Sequence, residues 1–395
     1  MVGLDDIHKA MQKIRPLVHR TPLIYSNSFS RLTGAEVYLK VENLQKTGSF
    51  KVRGAANKML AMSADKVITA SMGNHAQGVA FAAGRLGKDA VIVMPTTAPI
   101  VKQEATKGYG AEVVLHGGSF DEALAYALSR KDRSFIHAFD DDEIITGQGT
   151  IGVEIAEDIK DPDCVFVPVG GGGLIAGVSA AFKSLSPKTE IIGVQAKAAV
   201  SAYLSFTEGK ICASEPLSTL ADGIAVGKIG EKTFGIIRRY VDDMVLVDED
   251  AIAMAILLFL ERKKLVVEGA GAAPLSALLQ NSARFKGKRV VLIVSGGNID
   301  FTLIDRIIRK GLVKSGRIGV LEVTVEDVPG TLHSITRIVA DHRCNILGVF
   351  HDRLAADTPL GKTRVAFTVE TRGSGHLEEI IGDMVARGFE VRKKA

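Results

Sequence analysis

The stretch Cys164-Val165-Phe166-Val167-Pro168-Val169-Gly170-Gly171-Gly172-Gly173-Leu174-Ile175-Ala176-Gly177 decides how the chain is built. An apolar, β-branched run stops at four consecutive glycines and passes at once into an alanine-rich segment. The run lacks polar alternation, so it reads as a strand buried on both faces, the condition of a parallel sheet covered by helices. Bare glycine amides at a helix N-terminus hold an anion such as a phosphate. Two other readings compete: a tight turn with close helix packing, and a dinucleotide fingerprint, since Gly171, Gly173 and Ala176 satisfy GxGxxA. A nicotinamide site wants an acidic residue roughly 20 positions further on, and Gln195 stands there. No GK[ST] follows the glycines either, so a phosphate without a nucleotide is the better match.

Outward from this stretch the same pattern repeats. Apolar runs at 36–39, 66–69, 90–93, 112–115, 164–167, 191–194 and 290–293 alternate with helical segments, which predicts an open α/β architecture with parallel strands. Ligands of such sheets sit beyond the carboxyl ends of the strands.

Three more segments lie at such ends. In Ser49-Phe50-Lys51-Val52-Arg53-Gly54-Ala55, Lys51 shares a helical stripe with Ala55, Met59 and Met62. A lone lysine in such a place usually snorkels to water; a desolvated one has a lowered amine pKa and can form a Schiff base. Spacing does not separate the two. Thr69-Ala70-Ser71-Met72-Gly73-Asn74-His75 opens a helix, with Ser71 placed to cap it and the amides to face an anion such as a carboxylate, or simply to begin a helix. His75 alone is more often structural than catalytic, and no metal-ligand spacing surrounds it. Val290 to Asn298 is an apolar run ending in Ser295-Gly296-Gly297-Asn298. Each segment alone is ordinary; their coincidence at the strand ends of one sheet carries the functional reading.

The pattern changes near Arg309 to Arg317, where glycines mix with basic residues, and a linker is expected over 311–317. Beyond it, strand 318–325, helix 331–342, strands 345–351 and 362–371, helix 375–387 and strand 389–393 give β-α-β-β-α-β, the ferredoxin-like order.

Composition narrows the function. With 49 basic against 45 acidic residues in 395, both signs scattered, no basic face is offered to nucleic acid. The longest apolar run, Ala251 to Leu260, is half of a membrane span and reads as a buried helix. Three dispersed cysteines and a start without a secretory pattern point to a cytoplasmic protein without a disulfide framework or structural zinc. Small molecules and copies of itself are the expected partners.

Across roughly residues 5 to 310 the chain resembles the tryptophan-synthase-like (fold type II) pyridoxal-phosphate enzymes, and among them the threonine and serine dehydratases. Ser49 to Ala55, Gly73 to Gly78, Gly170 to Leu174 and Ser295 to Asn298 occur in that family's order and spacing. The resemblance implies a catalytic domain over 1–310, with a smaller subdomain of about 52–152 inserted. It implies that Lys51, beside Phe50, binds the cofactor covalently, that Gly170, Gly171, Gly172, Gly173 and Leu174 hold its phosphate, that Asn74 bonds its ring hydroxyl and that Ser295 faces its ring nitrogen. The loop Ser71, Met72, Gly73, Asn74, His75 would take the substrate. The reaction implied is loss of ammonia from L-threonine to give 2-oxobutanoate, and from L-serine to give pyruvate. A hydroxyaspartate dehydratase, a serine racemase, a β-replacement synthase or an inactive amino-acid sensor are the alternatives. The family's racemases have a second serine where Met72 stands and acidic cation ligands where Gln195 and Ser201 stand, so racemisation and a bound metal are not expected. Residues 318–395 resemble an ACT domain, with Asp327-Val328-Pro329-Gly330-Thr331-Leu332 as its first loop, which implies a homo-oligomer, dimer or tetramer, and an effector such as isoleucine or valine.

Overall fold

The computed structural model describes residues 2–353 and 358–394; Met1 and Ala395, the ends of the expected domain ranges, lie outside them. The chain divides into two units, Met1–Ile299 and Asp300–Ala395. In the first are β1 (Leu23–Tyr25), β2 (Glu36–Val41), β3 (Lys66–Ala70), β4 (Asp89–Met94), β5 (Glu112–Leu115), β6 (Ser134–Phe135), β7 (Cys164–Pro168), β8 (Glu190–Ala196), β9 (Asp243–Val247) and β10 (Arg289–Val294). The second has β11 (Ile318–Glu326), β12 (Asn345–Asp352), β13 (Lys362–Glu370) and β14 (Glu390–Lys394).

The first unit holds two sheets. The larger runs β1-β2-β10-β7-β8-β9, parallel except for the antiparallel edge strand β1. The smaller, β5-β4-β3-β6, is parallel throughout. All seven apolar runs form strands. Cys164 through Pro168 are all buried, as a strand covered on both faces requires. Val165, Val167, Val291 and Ile293 join Ile175, Val178 and Phe182 of the following helix in one core, each such side chain contributing about 1.5–3 kcal/mol by its burial.

The helix Asp142–Asp158 binds the two sheets together. Asp141 caps it, accepting from the amides of Glu143 and Ile144. It packs on both the helix Lys51–Ala61 and the helix Gly173–Leu185. Glycine permits this closeness: a Cβ on Gly147 would lie 2.7 Å from the Arg53 carbonyl, and one on Gly177 2.3 Å from the Ile145 carbonyl.

The second unit forms one antiparallel sheet, β12-β13-β11-β14. Leu321, Val323 and Phe367 from its strands pack with Ile335 and Ile338 of the helix Thr331–Asp341 and with Leu377 and Ile380 of the helix Ser374–Ala386. The element order is the expected β-α-β-β-α-β, a ferredoxin-like arrangement.

Several expectations are corrected. The presumed linker begins as helix: Phe301–Lys314 is continuous, capped by Asp300, with Ile304 and Ile307 buried, and Gly311 sits inside it. The stop comes at Ser315 and Gly316, whose φ of +68° ends the helix. Ser71 does not cap its helix; Gly73 is the cap residue of Asn74–Leu86, and the Ser71 hydroxyl instead accepts from the Gly73 amide at 3.2 Å. Met62 lies just past the end of its helix in extended backbone, so the apolar stripe ends with Ala55 and Met59. Ala251–Leu260 is helical and largely buried as expected, its last residues in a π turn. No helix among the described residues is long and apolar enough to cross a membrane.

Candidate active site

The adjacent parallel strands β2, β10 and β7 deliver their carboxyl ends to one place. The segment after β2 runs on through Ser49 to Lys51, and the residues after β10 hold it: the Phe50 amide donates to the Ser295 carbonyl at 3.1 Å, and the Gly297 amide to the Gly48 carbonyl at 2.9 Å. Ser49 and Gly296 form an isolated bridge between them. β7 ends in the glycine loop, and from the smaller sheet β3 ends in Ser71 to Asn74.

Lys51 is the first residue of its helix and partly buried. Its amine donates to the Ala138 carbonyl at 3.1 Å and lies 5.2 Å from the centre of the Phe50 ring. Burial lowers its pKa to about 8, against the opposing pull of the Glu268 carboxylate. Desolvation penalises the charged ammonium, so the neutral, nucleophilic amine is within reach at ordinary pH. The surroundings resist further positive charge: burial and Lys51 hold His75 down at about 3, and burial lowers His137.

The glycine loop is held from behind. A Cβ on Gly171 would meet the Phe139 ring at 2.3 Å, and one on Gly173 the same residue's backbone at 3.0 Å. Gly172 has a φ of +95° and faces Thr233, whose hydroxyl donates to the Gly171 carbonyl at 2.8 Å. Asp140 steadies this wall by accepting from the amides of Glu231, Lys232 and Thr233. Gly173 and Leu174 open the helix Gly173–Leu185, and first-turn amides have no intrahelical acceptor.

In the loop after β3, Asn74 is tied on both sides. Its amide nitrogen donates to both oxygens of Glu268, at 2.8 and 3.0 Å, and its oxygen accepts from Asn298 at 2.8 Å. Asn298 also donates to the Thr47 carbonyl at 2.8 Å. His75 is buried with Nε2 3.2 Å from the Ile136 carbonyl, a structural hydrogen bond. Met72 packs against the smaller sheet's core, and Ser71 hangs from the Val93 carbonyl through its amide.

Glu268 escaped the sequence reading. It precedes the helix Gly269–Gln280, and burial raises its carboxyl to about 7. The available signal was a lone carboxylate opening an otherwise apolar Glu268-Gly269-Ala270-Gly271-Ala272-Ala273-Pro274 run. Phe139 and Thr233 were likewise missed, since nothing local marks them as a wall for a loop far away in sequence.

The residues suit pyridoxal phosphate. A glycine cradle offers free first-turn amides for a phosphate, a desolvated lysine amine lies across from it, and the buried Ser295 ends the strand between. The hydroxyls of Thr47 and Ser49, both buried beside Lys51, find no partner among the described residues. Such atoms are normally matched, by protein, water or a bound group.

Comparison with known proteins agrees. The chain is 50% identical over 399 residues to the L-threonine ammonia-lyase of Thermotoga maritima, covering 99% of both chains. Its structure is similar to that of threonine deaminase isoform 2 from Solanum lycopersicum (TM-score 0.73, 42% identity, 77% of this chain and 88% of that one). It is also similar to maize serine racemase (TM-score 0.74, 34% identity, 79% and 98%). Residues 14–296 match the model of the pyridoxal-phosphate dependent enzymes, and with Lys51 and the glycine cradle both inside that span, it is to this family that the chain belongs.

Proposed function

We propose that the protein removes ammonia from L-threonine to give 2-oxobutanoate, and from L-serine to give pyruvate. The observation that carries this reading is the end-to-end similarity to an L-threonine ammonia-lyase, which includes the second unit as well as the first. Bound pyridoxal phosphate supplies the electron sink that acidifies the substrate's Cα–H. Gly170, Gly171, Gly172, Gly173 and Leu174 hold the phosphate through backbone amides, and Asn74 donates to the ring oxygen. Ser295 would offer the ring nitrogen a neutral hydroxyl, a partner that does not require its protonation and so suits elimination better than transamination. Ser71, Met72, Gly73, Asn74 and His75 orient the substrate carboxylate through the loop after β3. Lys51 binds the cofactor covalently in the resting enzyme, with Phe50 beside it. The Lys51 Nζ, its pKa lowered to about 8 by burial, would take the substrate's Cα proton. Loss of the β-hydroxyl and hydrolysis of the freed enamine complete the reaction.

A racemase reading is favoured by the likeness to maize serine racemase, but Met72 cannot carry a proton. Gln195, buried with its amide nitrogen unmatched among the described residues, offers no carboxylate where the family's racemases have an acidic cation ligand. An inactive sensor is disfavoured by the retention of Lys51 with its lowered pKa. The free cysteines fit a cytoplasmic protein. The second unit serves as an ACT domain, binding a branched-chain amino acid such as isoleucine in a homo-oligomer, around the loop Asp327 to Leu332.

The test is the visible absorption of the purified protein, followed by assay of 2-oxo acid with L-threonine, with and without isoleucine. A cofactor band and 2-oxobutanoate support the reading, and a change of rate with isoleucine supports the effector. No band after addition of cofactor would sink it.

A further inference from the structure

The buried carboxylate of Glu268 plays no part in the reaction as described so far. Its backbone amide donates to the Gly296 carbonyl at 3.1 Å, and two glycines leave room for its carboxylate: a Cβ on Gly296 would fall 2.4 Å from Oε1, and one on Gly223 3.4 Å from the same atom. The carboxylate accepts from the backbone amide of Asn298 and from Asn74, whose amide nitrogen spans both its oxygens. The Asn74 oxygen in turn meets Asn298, which grips the Thr47 carbonyl four residues before Lys51. The buried carboxylate is thus set against the nitrogen end of the Asn74 side chain.

We infer that Glu268 is a positioning residue: it fixes which end of the Asn74 side chain is the donor, leaving the second hydrogen of the same nitrogen for the ring oxygen of the cofactor. The inference rests on the proposed role of Asn74. An asparagine bonded only through its oxygen would be free to rotate about its last torsion; the carboxylate makes the reverse orientation cost an oxygen–oxygen repulsion. A charge-assisted bond of this kind also outweighs a neutral one. The charged groups around Glu268 are Lys102, which favours the carboxylate, and Asp222, which opposes it. The Glu268 charge favours the proton on Lys51, while burial lowers the pKa of His75 and of His137.

The test uses the full-length holoenzyme and the variants Glu268→Gln, Glu268→Ala, Asn74→Ala and the Glu268→Ala/Asn74→Ala double. Two readouts do not depend on turnover: cofactor affinity, and the pH dependence of the bound cofactor's visible absorption. Glu268→Ala should weaken cofactor affinity about 10- to 100-fold, the scale of a lost hydrogen bond to a charged group. Glu268→Gln, which keeps an acceptor but no charge, should lose less than Glu268→Ala, about three- to tenfold, while losing a titration near neutral pH. The double variant should bind no worse than Asn74→Ala. Additive losses in the double variant, or an unchanged spectral titration in Glu268→Gln, would overturn the inference while leaving the Asn74 role standing. Full cofactor affinity in Asn74→Ala would overturn both.

Discussion

Arg53 and Glu154 meet face to face with almost no access to water: Nη1 bonds Oε1 at 2.7 Å and Nη2 bonds Oε2 at 2.9 Å. The same guanidinium bonds Glu42 through Nε and Nη2, each at 2.8 Å, and Lys40 bonds Glu154 at 2.6 Å. Two cations and two anions thus balance in the interior, two residues from Lys51. They tie its helix to β2 and to the helix Asp142–Asp158.

Such a set tolerates the loss of no single member. Glu154→Gln leaves a buried positive charge uncompensated, which costs on the order of 3–5 kcal/mol. The denaturant midpoint of the full chain should fall accordingly. The carboxyl of Glu42 shows the acid side of the same balance. Burial alone would raise its pKa, but Arg53, with Lys40 and the Thr21 hydroxyl, more than reverses this and holds it below the usual range. A carboxyl lowered on folding stabilises the folded chain above its unfolded pKa, and that stabilisation fades as pH falls through the folded one. Acid unfolding of wild type should therefore be steeper than that of Glu42→Gln; equal slopes would contradict the pairing.

Lys51 shows a linkage of the same sign in a higher pH window. Its pKa falls from 10.5 to about 8 on folding, so the unfolded chain keeps a proton that the folded one sheds, and stability rises with pH between those values. The capture rate of cofactor by apoprotein should climb to a plateau just above pH 8, well before an ordinary lysine would allow. Lys51→Ala should show no visible band and at least about 10²-fold less 2-oxo acid formation. A band that survives Lys51→Ala would remove this residue from the cofactor.

Gly171 tests the cradle. An alanine there would place its Cβ 2.3 Å from the Phe139 ring, so the loop has to move toward the space assigned to the phosphate. We expect Gly171→Ala to lose cofactor affinity by about tenfold or more, consistent with about 1.4 kcal/mol per decade, as read by equilibrium dialysis. The fold should hold, because a loop shift leaves the core of β7 intact. Unchanged affinity would place the phosphate elsewhere.

The parts that could be read without coordinates share a physical cause. Strands such as Val290–Ile293 are apolar throughout because they are buried on both faces, and that leaves a mark in a single short window. The strands overlooked are β1, β6 and β9: the first and last are sheet edges, and β6 has only two residues. Edges and stubs carry little burial, hence little pattern. The helix through Lys310 and Gly311 was taken for a linker because glycine and charge outweighed a weak apolar stripe, although Asp300 stood ready as its cap. The site divides in the same way. Lys51, Gly170 to Leu174 and Ser295 are marked by their own neighbours in sequence, whereas the Glu268 contact to Asn74 joins residues 194 positions apart, and no local window contains it.

Met72 separates elimination from racemisation. To invert a centre, a second acid must deliver a proton to the face opposite the one from which, in the proposed mechanism, Lys51 removes it, and the loop proposed to hold the substrate carboxylate is where the family's racemases place that acid. Met72 occupies that loop, partly buried against the core of the smaller sheet, with a thioether that has no proton to give. L-Serine incubated with the enzyme should therefore give pyruvate, with D-serine at least about 10²-fold slower, the factor commonly supplied by a positioned acid. Met72→Ser should raise D-serine formation while pyruvate formation persists. Chiral chromatography of the reaction checks both, and D-serine formed by the wild type at a rate matching pyruvate would show that some other group reaches the second face.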